Sequence, residues 1–153
     1  MLDDSAQAGI QFSGEFEHSV DAKGRVTLPA KLRDGLGEVV FLTRGLDGCL
    51  FLYSEPRWRA ITENVGKLSL TKRTARVFAR MIFAGTGCEV DRAGRILIPS
   101  GLRSFARIKS QVVIVGVEER VELWAPERWE RAMSILYEAD DELVSDEWES
   151  LDI

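Results

Sequence analysis

Hydrophobic and polar residues follow two different periods along this chain of 153 residues. In eight short segments apolar residues cluster or alternate with polar ones, which predicts β-strands joined by turns. These segments are 12–20, 26–28, 39–43, 49–53, 87–90, 96–98, 112–117 and 121–124. Two short helices are predicted, from Pro29 to about Leu36 and from Pro99, because proline suits the first turn of a helix.

Three longer segments have the 3.6-residue period of amphipathic helices. The first follows Ser54, a residue type that caps helices, and the second runs from about Leu70 to Phe83. The apolar stripe of the first is Trp58, Ile61, Val65 and Leu68, and that of the second is Val77, Phe78, Met81 and Ile82. Lys72, Arg76 and Arg80 form one row on the second helix, which suits a solvated face, a subunit contact or a phosphate contact.

The third amphipathic segment starts at Pro126 and is predicted to form an acidic C-terminal helix. One of its sides carries the apolar residues Trp129, Met133, Leu136, Tyr137, Leu143 and Val144. Aromatic and Met side chains at helical spacing are typical of a protein core, so we expect this side to be buried.

One motif occurs twice, at an offset of seventy residues. DAKGRVTLPAKLR spans residues 21–33 and DRAGRILIPSGLR spans residues 91–103, and a weaker repeat relates YSEPRW at 53–58 to WAPERW at 124–129. Internal repetition indicates two copies of one small structural unit. We therefore predict an α+β fold in which two tandem half-barrels form one pseudo-symmetric β-barrel with packed helices.

The repeats also predict the domain organisation. The chain divides into a flexible N-terminal lead (1–11), a first repeat (12–58), connecting helices (59–83), a second repeat (84–125) and an acidic C-terminal helix and tail (126–153). No apolar run approaches the length of about 20 residues that spans a membrane, and the lead lacks the features of a secretory signal. Cys49 and Cys88 have no metal-like spacing. These features predict a cytoplasmic protein with buried, reduced thiols.

The net charge of −5 is distributed unevenly. Residues 118–153 contain 13 acidic and 3 basic residues, whereas residues 1–117 contain 12 acidic and 17 basic residues. This asymmetry fits a chain with one face for a polyanion and another that repels it. It fits equally a solvated acidic tail without an electrostatic role.

The repeated loops carry the candidate chemistry. Gly24 and Gly94 permit tight turns, and Asp21 and Asp91 can accept turn amides or orient a guanidinium. The basic residues of the loops are Lys23, Arg25, Arg92 and Arg95. Arginine can bind guanine O6 and N7 as a fork, and a second cation can hold a phosphate. The loops therefore suit two contacts with a nucleic-acid groove, or else structural turns closed by an internal Asp–Arg bridge.

The two D-x-x-G-R segments and the P-x-x-W helix starts also resemble the MraZ family, which belongs to the AbrB-like, swapped-hairpin class of transcription factors. The resemblance covers about residues 12–143 and implies a bacterial, nucleoid-associated regulator without a cofactor or metal. It implies ring-shaped homo-oligomers that bind direct repeats in double-stranded promoter DNA. The expected target is the division and cell-wall gene cluster that contains its own gene, with repression as the outcome. The lead at 1–11 is longer than is usual in the family.

The resemblance assigns Asp21, Arg25, Asp91 and Arg95 to the motif. Charge and proximity add Lys23 and Arg92, so the candidate DNA-binding residues are Lys23, Gly24, Arg25, Arg92, Gly94 and Arg95. Asp21 and Asp91 are expected to structure the loops.

Two other function classes are alternatives to this interpretation. Paired carboxylates could form an acid site like that of aspartic proteases, but a cation beside each one opposes the sharing of a proton. No Cys/His cluster or nucleophile–base pair is apparent, so we expect no catalytic residues. The second alternative is a protein-interaction module or an antitoxin-like AbrB relative that binds no specific DNA sequence.

Overall fold

The computed structural model describes residues 11–138 and 142–152. The predicted N-terminal lead lies outside these ranges apart from Gln11, and so does the side chain of Leu143.

The elements of the first half follow the predicted order. They are β1 (Glu15–Ser19), β2 (Arg25–Thr27), α1 (Ala30–Leu36), β3 (Val39–Arg44), β4 (Leu50–Ser54), α2 (Glu55–Val65) and α3 (Arg73–Phe83). The Ser54 hydroxyl caps α2 by accepting a hydrogen bond from the Arg57 backbone N–H. The second half contains β5 (Thr86–Glu89), β6 (Arg95–Leu97), α4 (Ser100–Ala106), β7 (Gln111–Val117), β8 (Arg120–Trp124), α5 (Pro126–Met133), a 3₁₀ turn (Ser134–Tyr137) and α6 (Glu142–Ser150).

The two halves exchange strands. Six antiparallel strands form one sheet in the order β1-β7-β8-β4-β3-β5, so the first strand of each half pairs with the third strand of the other. At the centre of the sheet, β4 pairs with β8 in a register that places Phe51 opposite Glu122. Reversing the strand order and exchanging the halves gives the same order, so the sheet has the pseudo-two-fold symmetry that the repeat predicts.

A separate two-stranded ribbon consists of β2 and β6. A single bridge from Val20 to Val26 links the ribbon to the segment that follows β1. The described ladders do not join the edge strands β1 and β5 to each other, so the closure of a barrel stays a prediction.

One hydrophobic core belongs to both halves. Leu28, Leu52, Ile98 and Leu123 have no solvent exposure and pack in the same cluster, together with residues of α1 and α4. Burial of a Leu or Ile side chain stabilises a fold by about 1.5–3 kcal/mol, so the shared cluster holds the halves together.

The opposite face of the sheet is covered by aromatic side chains. Phe51, Tyr53 and Trp124 form a second buried cluster, against which Trp58 of α2 and Trp129 of α5 pack. Both buried cysteines are free thiols, and burial raises the pKa of Cys49 to about 12. None of the described helices has the length and hydropathy needed to cross a membrane.

Two predictions about helix packing were wrong. On α3 the buried residues are Ala75 and Ile82, whereas Val77 and Phe78 are 52% and 43% exposed. Since α3 packs mainly on α2 and β3 in the described part of the chain, less of its apolar surface is covered than its sequence provides. The segment after Pro126 is not one continuous helix, because α5 ends at Met133 and a 3₁₀ turn follows. Its apolar side is also not buried throughout as expected, since Leu136 and Tyr137 are 51% and 84% exposed.

Candidate nucleic-acid interface

Asp21 organises the first loop, which comprises residues Asp21–Gly24. One carboxylate oxygen, Oδ1, accepts hydrogen bonds from the backbone N–H groups of Lys23 (2.9 Å) and Arg25 (2.8 Å). The other, Oδ2, accepts a bond of 2.9 Å from Nε of Arg25. The Asp21 carbonyl oxygen accepts the Gly24 N–H, and the Asp21 N–H donates to the Arg25 carbonyl. A single carboxylate therefore fixes both the turn and the guanidinium that follows it.

The second loop, residues Asp91–Gly94, repeats this geometry. Asp91 Oδ1 accepts the backbone N–H groups of Ala93 and Arg95 at 2.9 and 2.8 Å, and Oδ2 accepts Nε of Arg95 at 2.9 Å. Both interpretations of the motif are compatible with this arrangement, because the internal Asp–Arg bridge uses only Nε. In the described part of the chain, neither arginine makes a hydrogen bond through its Nη atoms.

Each loop is held by the other half of the chain. Gly24 and Gly94 have φ angles of 90° and 79°, a conformation that favours glycine. The Gly24 carbonyl accepts the Ile98 N–H at 2.9 Å, and the Gly94 carbonyl accepts the Leu28 N–H at 2.8 Å. Both glycines are buried, so they contribute to the site through the shape of the loop.

Two further arginines pack across the halves onto these glycines. A Cβ atom on Gly24 would lie 2.7 Å from the guanidinium of Arg103. A Cβ atom on Gly94 would overlap the guanidinium of Arg33. Arg103 Nε donates to the Ile98 carbonyl at 2.9 Å, whereas Arg33 Nε is buried without a hydrogen-bond partner among the described residues. Both arginines recur in the repeat, but the sequence alone did not suggest this contact between halves.

The ribbon brings the two loop arginines onto one surface. Arg25 lies opposite Leu97 and Thr27 lies opposite Arg95, while the central pair of Val26 and Ile96 is buried in the core. Arg25, Thr27, Arg95 and Leu97 therefore share the outward surface, which we call the ribbon face. Diagonal neighbours on such a pair are about 7–8 Å apart, so two cations are close together here. The carboxylate beside each arginine reduces their mutual repulsion.

The sequence pattern did not indicate that Thr27 and Leu97 belong to this site. Leu97 is 52% exposed and lies opposite Arg25, so an apolar side chain stands on this charged surface. The alternation Arg25–Val26–Thr27 places Thr27 on the same side as Arg25, and the same holds in the second copy. The pairing of β2 with β6 joins residues far apart in sequence, so the sequence pattern did not predict it.

The remaining candidate cations are not placed symmetrically. Lys23 is the third residue of its loop and Arg92 is the second of its own, so the repeat aligns Lys23 with Ala93. Both basic side chains are exposed and have no ion pair within the described residues. Among the same residues there is no cluster of three or more His, Cys, Asp or Glu side chains suited to a metal ion.

The electrostatics of the loops favour ionised carboxylates. The pKa of Asp21 is lowered, chiefly by the hydrogen bond from the Arg25 backbone N–H and also by the Arg25 side chain and the Lys23 N–H. The pKa of Asp91 is lowered mainly by the equivalent Arg95 N–H. A pair of acids that shares a proton requires one raised pKa, so this geometry opposes the aspartic-protease alternative.

Acidification is expected to loosen both loops. Because the folded pKa of each carboxyl lies below its ordinary value of 3.8, its contribution to loop stability is present above that pH and is lost as the pH falls through the lowered pKa. NMR titration of the two carboxyls and of the Gly24 and Gly94 amides measures this transition. In Asp21→Asn only the second loop should still respond, and a midpoint at or above 3.8 for wild-type Asp21 would contradict the geometry.

Comparison with known proteins agrees with the duplication. The family model described as "MraZ protein, putative antitoxin-like" matches residues 11–81 and again 81–146, so each match includes one loop. The chain belongs to the MraZ family. It is 52% identical over 122 residues to the transcriptional regulator MraZ of Caldicellulosiruptor saccharolyticus, which covers 79% of this chain and 85% of that protein.

Other MraZ relatives match over a similar extent. The transcriptional regulator MraZ of Caldanaerobacter subterraneus is 53% identical over 118 residues, covering 76% of this chain and 82% of the relative. That of Symbiobacterium thermophilum is 51% identical over 117 residues, covering 76% and 85%.

Proposed function

We propose that this chain is a transcriptional regulator that binds duplex DNA sequence-specifically through the ribbon face and the two loops. The main support for the proposal is the pair of outward arginines, each held through Nε by its own aspartate, with no hydrogen bond to an Nη atom among the described residues. The major groove admits a two-stranded β-ribbon, and an arginine fork matches guanine O6 and N7. Lys23 and Arg92 lie at the loop tips, where they can contact phosphates.

Membership of the MraZ family and the names of its relatives support a role in transcription. We infer that the target is a set of direct repeats in the promoter of the division and cell-wall gene cluster that contains the protein's own gene. Occupation of these repeats would exclude RNA polymerase and repress transcription. Such a protein would act in the cytoplasm on the nucleoid.

We further propose that copies of the chain assemble head to tail into a ring, in which tandem AbrB-like half-barrels present their loops at a regular interval. Exposed apolar side chains just before and on α3 and just after α5 support this assembly, since large exposed apolar patches mark interaction surfaces. They include Leu70, Val77, Phe78, Phe83, Leu136 and Tyr137. Unlike surfaces that pair repeatedly close into a ring when the rotation permits. Linked binding sites then raise the avidity for repeated DNA by roughly 10²–10⁴.

Fluorescence anisotropy on duplex DNA from immediately upstream of the protein's own gene tests the function. A scrambled duplex of the same composition is the control, and both are titrated at two salt concentrations. The proposal requires tight binding to the native repeats and weak, salt-sensitive binding to the scrambled duplex. Equal binding to both would indicate a non-specific DNA-binding protein, and no binding at low salt would favour the protein-interaction or antitoxin-like alternative.

Leu97 is expected to contact a thymine methyl group next to the base that Arg25 contacts. Apolar side chains recognise this methyl in the major groove, and burial of one such group contributes about 0.8 kcal/mol, or roughly fourfold in affinity. Replacing single thymines with deoxyuridine should therefore weaken wild-type binding about fourfold at one position. The Leu97→Ser variant should lose this penalty without losing stability, and a penalty that persists in the variant would exclude Leu97 as the contact.

A further inference from the structure

A basic cleft lies beside the first loop. It is formed by α4, by the connection Arg107–Ser110 and by the start of α5. Its lining contains one acidic residue, Glu127, and five basic residues, Arg103, Arg107, Lys109, Arg128 and Arg131. We refer to these five residues and the space between them as the basic cleft.

The basic cleft begins directly at the first loop. Arg103 lines the cleft and also packs against Gly24, as described above. The Val20 N–H, next to the loop, donates a hydrogen bond of 2.9 Å to the Ser110 carbonyl in the cleft wall. A polyanion held by the first loop therefore has the cleft as its adjoining surface.

Three of the five cations are available to a ligand. The side chains of Arg107, Lys109 and Arg131 are exposed and have neither an ion pair nor a hydrogen bond in the described ranges. Arg128 has a structural role, because Nη1 donates to the carbonyls of Gly48 and Phe105 at 2.8 and 3.0 Å. The cleft thus combines Arg128, which is fixed by hydrogen bonds, with three exposed basic side chains that are free to bind a ligand.

The equivalent cleft beside the second loop has the opposite character. The matching hydrogen bond identifies the corresponding place: the Val90 N–H donates to the Glu38 carbonyl, as the Val20 N–H donates to the Ser110 carbonyl. Its charged lining consists of two basic residues, Arg33 and Arg92, and four acidic ones, Asp34, Glu38, Glu89 and Asp91. The pseudo-symmetry of the fold therefore does not extend to the charge of the two clefts.

About half of the difference in charge arises in one connection. Residues 37–38 join α1 to β3, whereas residues 107–110 join α4 to β7, and the longer connection supplies Arg107 and Lys109. Arg107 has a φ of 57°, in the left-handed region, at the position where the first half has Gly37 with a φ of 85°. An arginine here is less favourable for the backbone than glycine, and strained residues of this kind cluster at functional sites.

We propose that the basic cleft binds the phosphate backbone of duplex DNA that flanks the bases contacted by the first loop, while the acidic cleft adds no comparable contact on the other flank. This inference rests on the proposed function. The ribbon face is nearly symmetric and by itself would accept a site in either orientation. A single basic cleft gives the chain one orientation on DNA, which is what a direct repeat requires of each copy.

Salt-dependent binding to a duplex with one repeat tests the cleft. Lys109→Gln and Arg107→Gly each remove one charge, and Arg107→Gly copies the residue of the first half. The matched control is Lys67→Gln, an exposed lysine in the connection between α2 and α3. Each cleft variant should lower the slope of log K against log salt by about one, because one phosphate contact is lost. The control should leave the slope unchanged.

Neutral methylphosphonate linkages in one flank, and then in the other, test the orientation. Wild type should lose affinity when one particular flank is neutralised, and Arg107→Gly/Lys109→Gln should lose clearly less with the same flank, because two of the five basic residues of the cleft are gone. If the two flanks are equivalent in the wild type, or if the cleft variants match Lys67→Gln while wild type still binds specifically, the cleft inference alone is overturned. If wild type binds no DNA, the proposed function and this inference both fail.

Discussion

Replacement of Arg25 and Arg95 with alanine is expected to abolish sequence preference while leaving the fold intact. Each lost fork to a base costs about 1–3 kcal/mol, which corresponds to roughly 5- to 150-fold in specific affinity. The two arginines are diagonal neighbours on the ribbon face, so their effects are expected to couple rather than to add. Anisotropy with the native and scrambled duplexes, for both single variants and the double variant, measures the loss and the coupling.

Two control variants distinguish base contacts from general attraction to DNA. Arg25→Lys keeps the charge but has neither the Nε that bonds Asp21 nor a planar fork, so it should lose specificity as alanine does. Lys23→Ala should weaken binding to both duplexes equally and lower the salt slope by about one. Folded Arg25→Ala/Arg95→Ala protein that still prefers the native repeats would show that the loops do not contact the bases.

The loops could be predicted from sequence because their contacts are local. In each loop, the aspartate, the glycine and the arginine lie within five residues, and the two copies reinforce one prediction. The short helix after Pro29 was predicted for a similar reason, since Pro29 precedes α1 and Gly37 follows it.

The contacts between the two halves could not be predicted from the sequence pattern. Periodicity predicts that Val26 and Ile96 face inward, but not that they face each other, because strand partners far apart in sequence leave no local signal. The ribbon face, the position of Leu97 and the packing of Arg103 on Gly24 all depend on this pairing. The charge difference between the two clefts also required the structure, which shows that Glu38 and Ser110 occupy equivalent positions.

The apolar stripe of α3 illustrates a different limit. The period correctly predicted a helix ending at Phe83, but an apolar position can be covered by the same chain or by another one. Val77 and Phe78 are exposed in the single chain, and their burial would require a partner. A hydrophobic pattern therefore predicts that a surface is covered, without saying which molecule covers it.

The shared core makes a further prediction about stability. Leu52 has no solvent exposure and lies in β4, whose neighbours are β3 of its own half and β8 of the other half. Leu52→Ala should lower the free energy of unfolding by about 2–5 kcal/mol, since it deletes buried atoms and leaves a cavity. Small domains are stable by only about 5–15 kcal/mol, so this is a large fraction of the total.

The same variant tests whether the halves unfold together. Because the core cluster contains residues of both repeats, urea denaturation of Leu52→Ala should show one transition with a lower midpoint and an unchanged slope. The midpoint should fall by the same amount whether unfolding is monitored by a label in the first half or by a label in the second half. Leu97→Ala is the control, because half of that side chain is exposed and its loss should change stability little. Two separate transitions would mean that the repeats are independent domains and that strand exchange does not couple their stability.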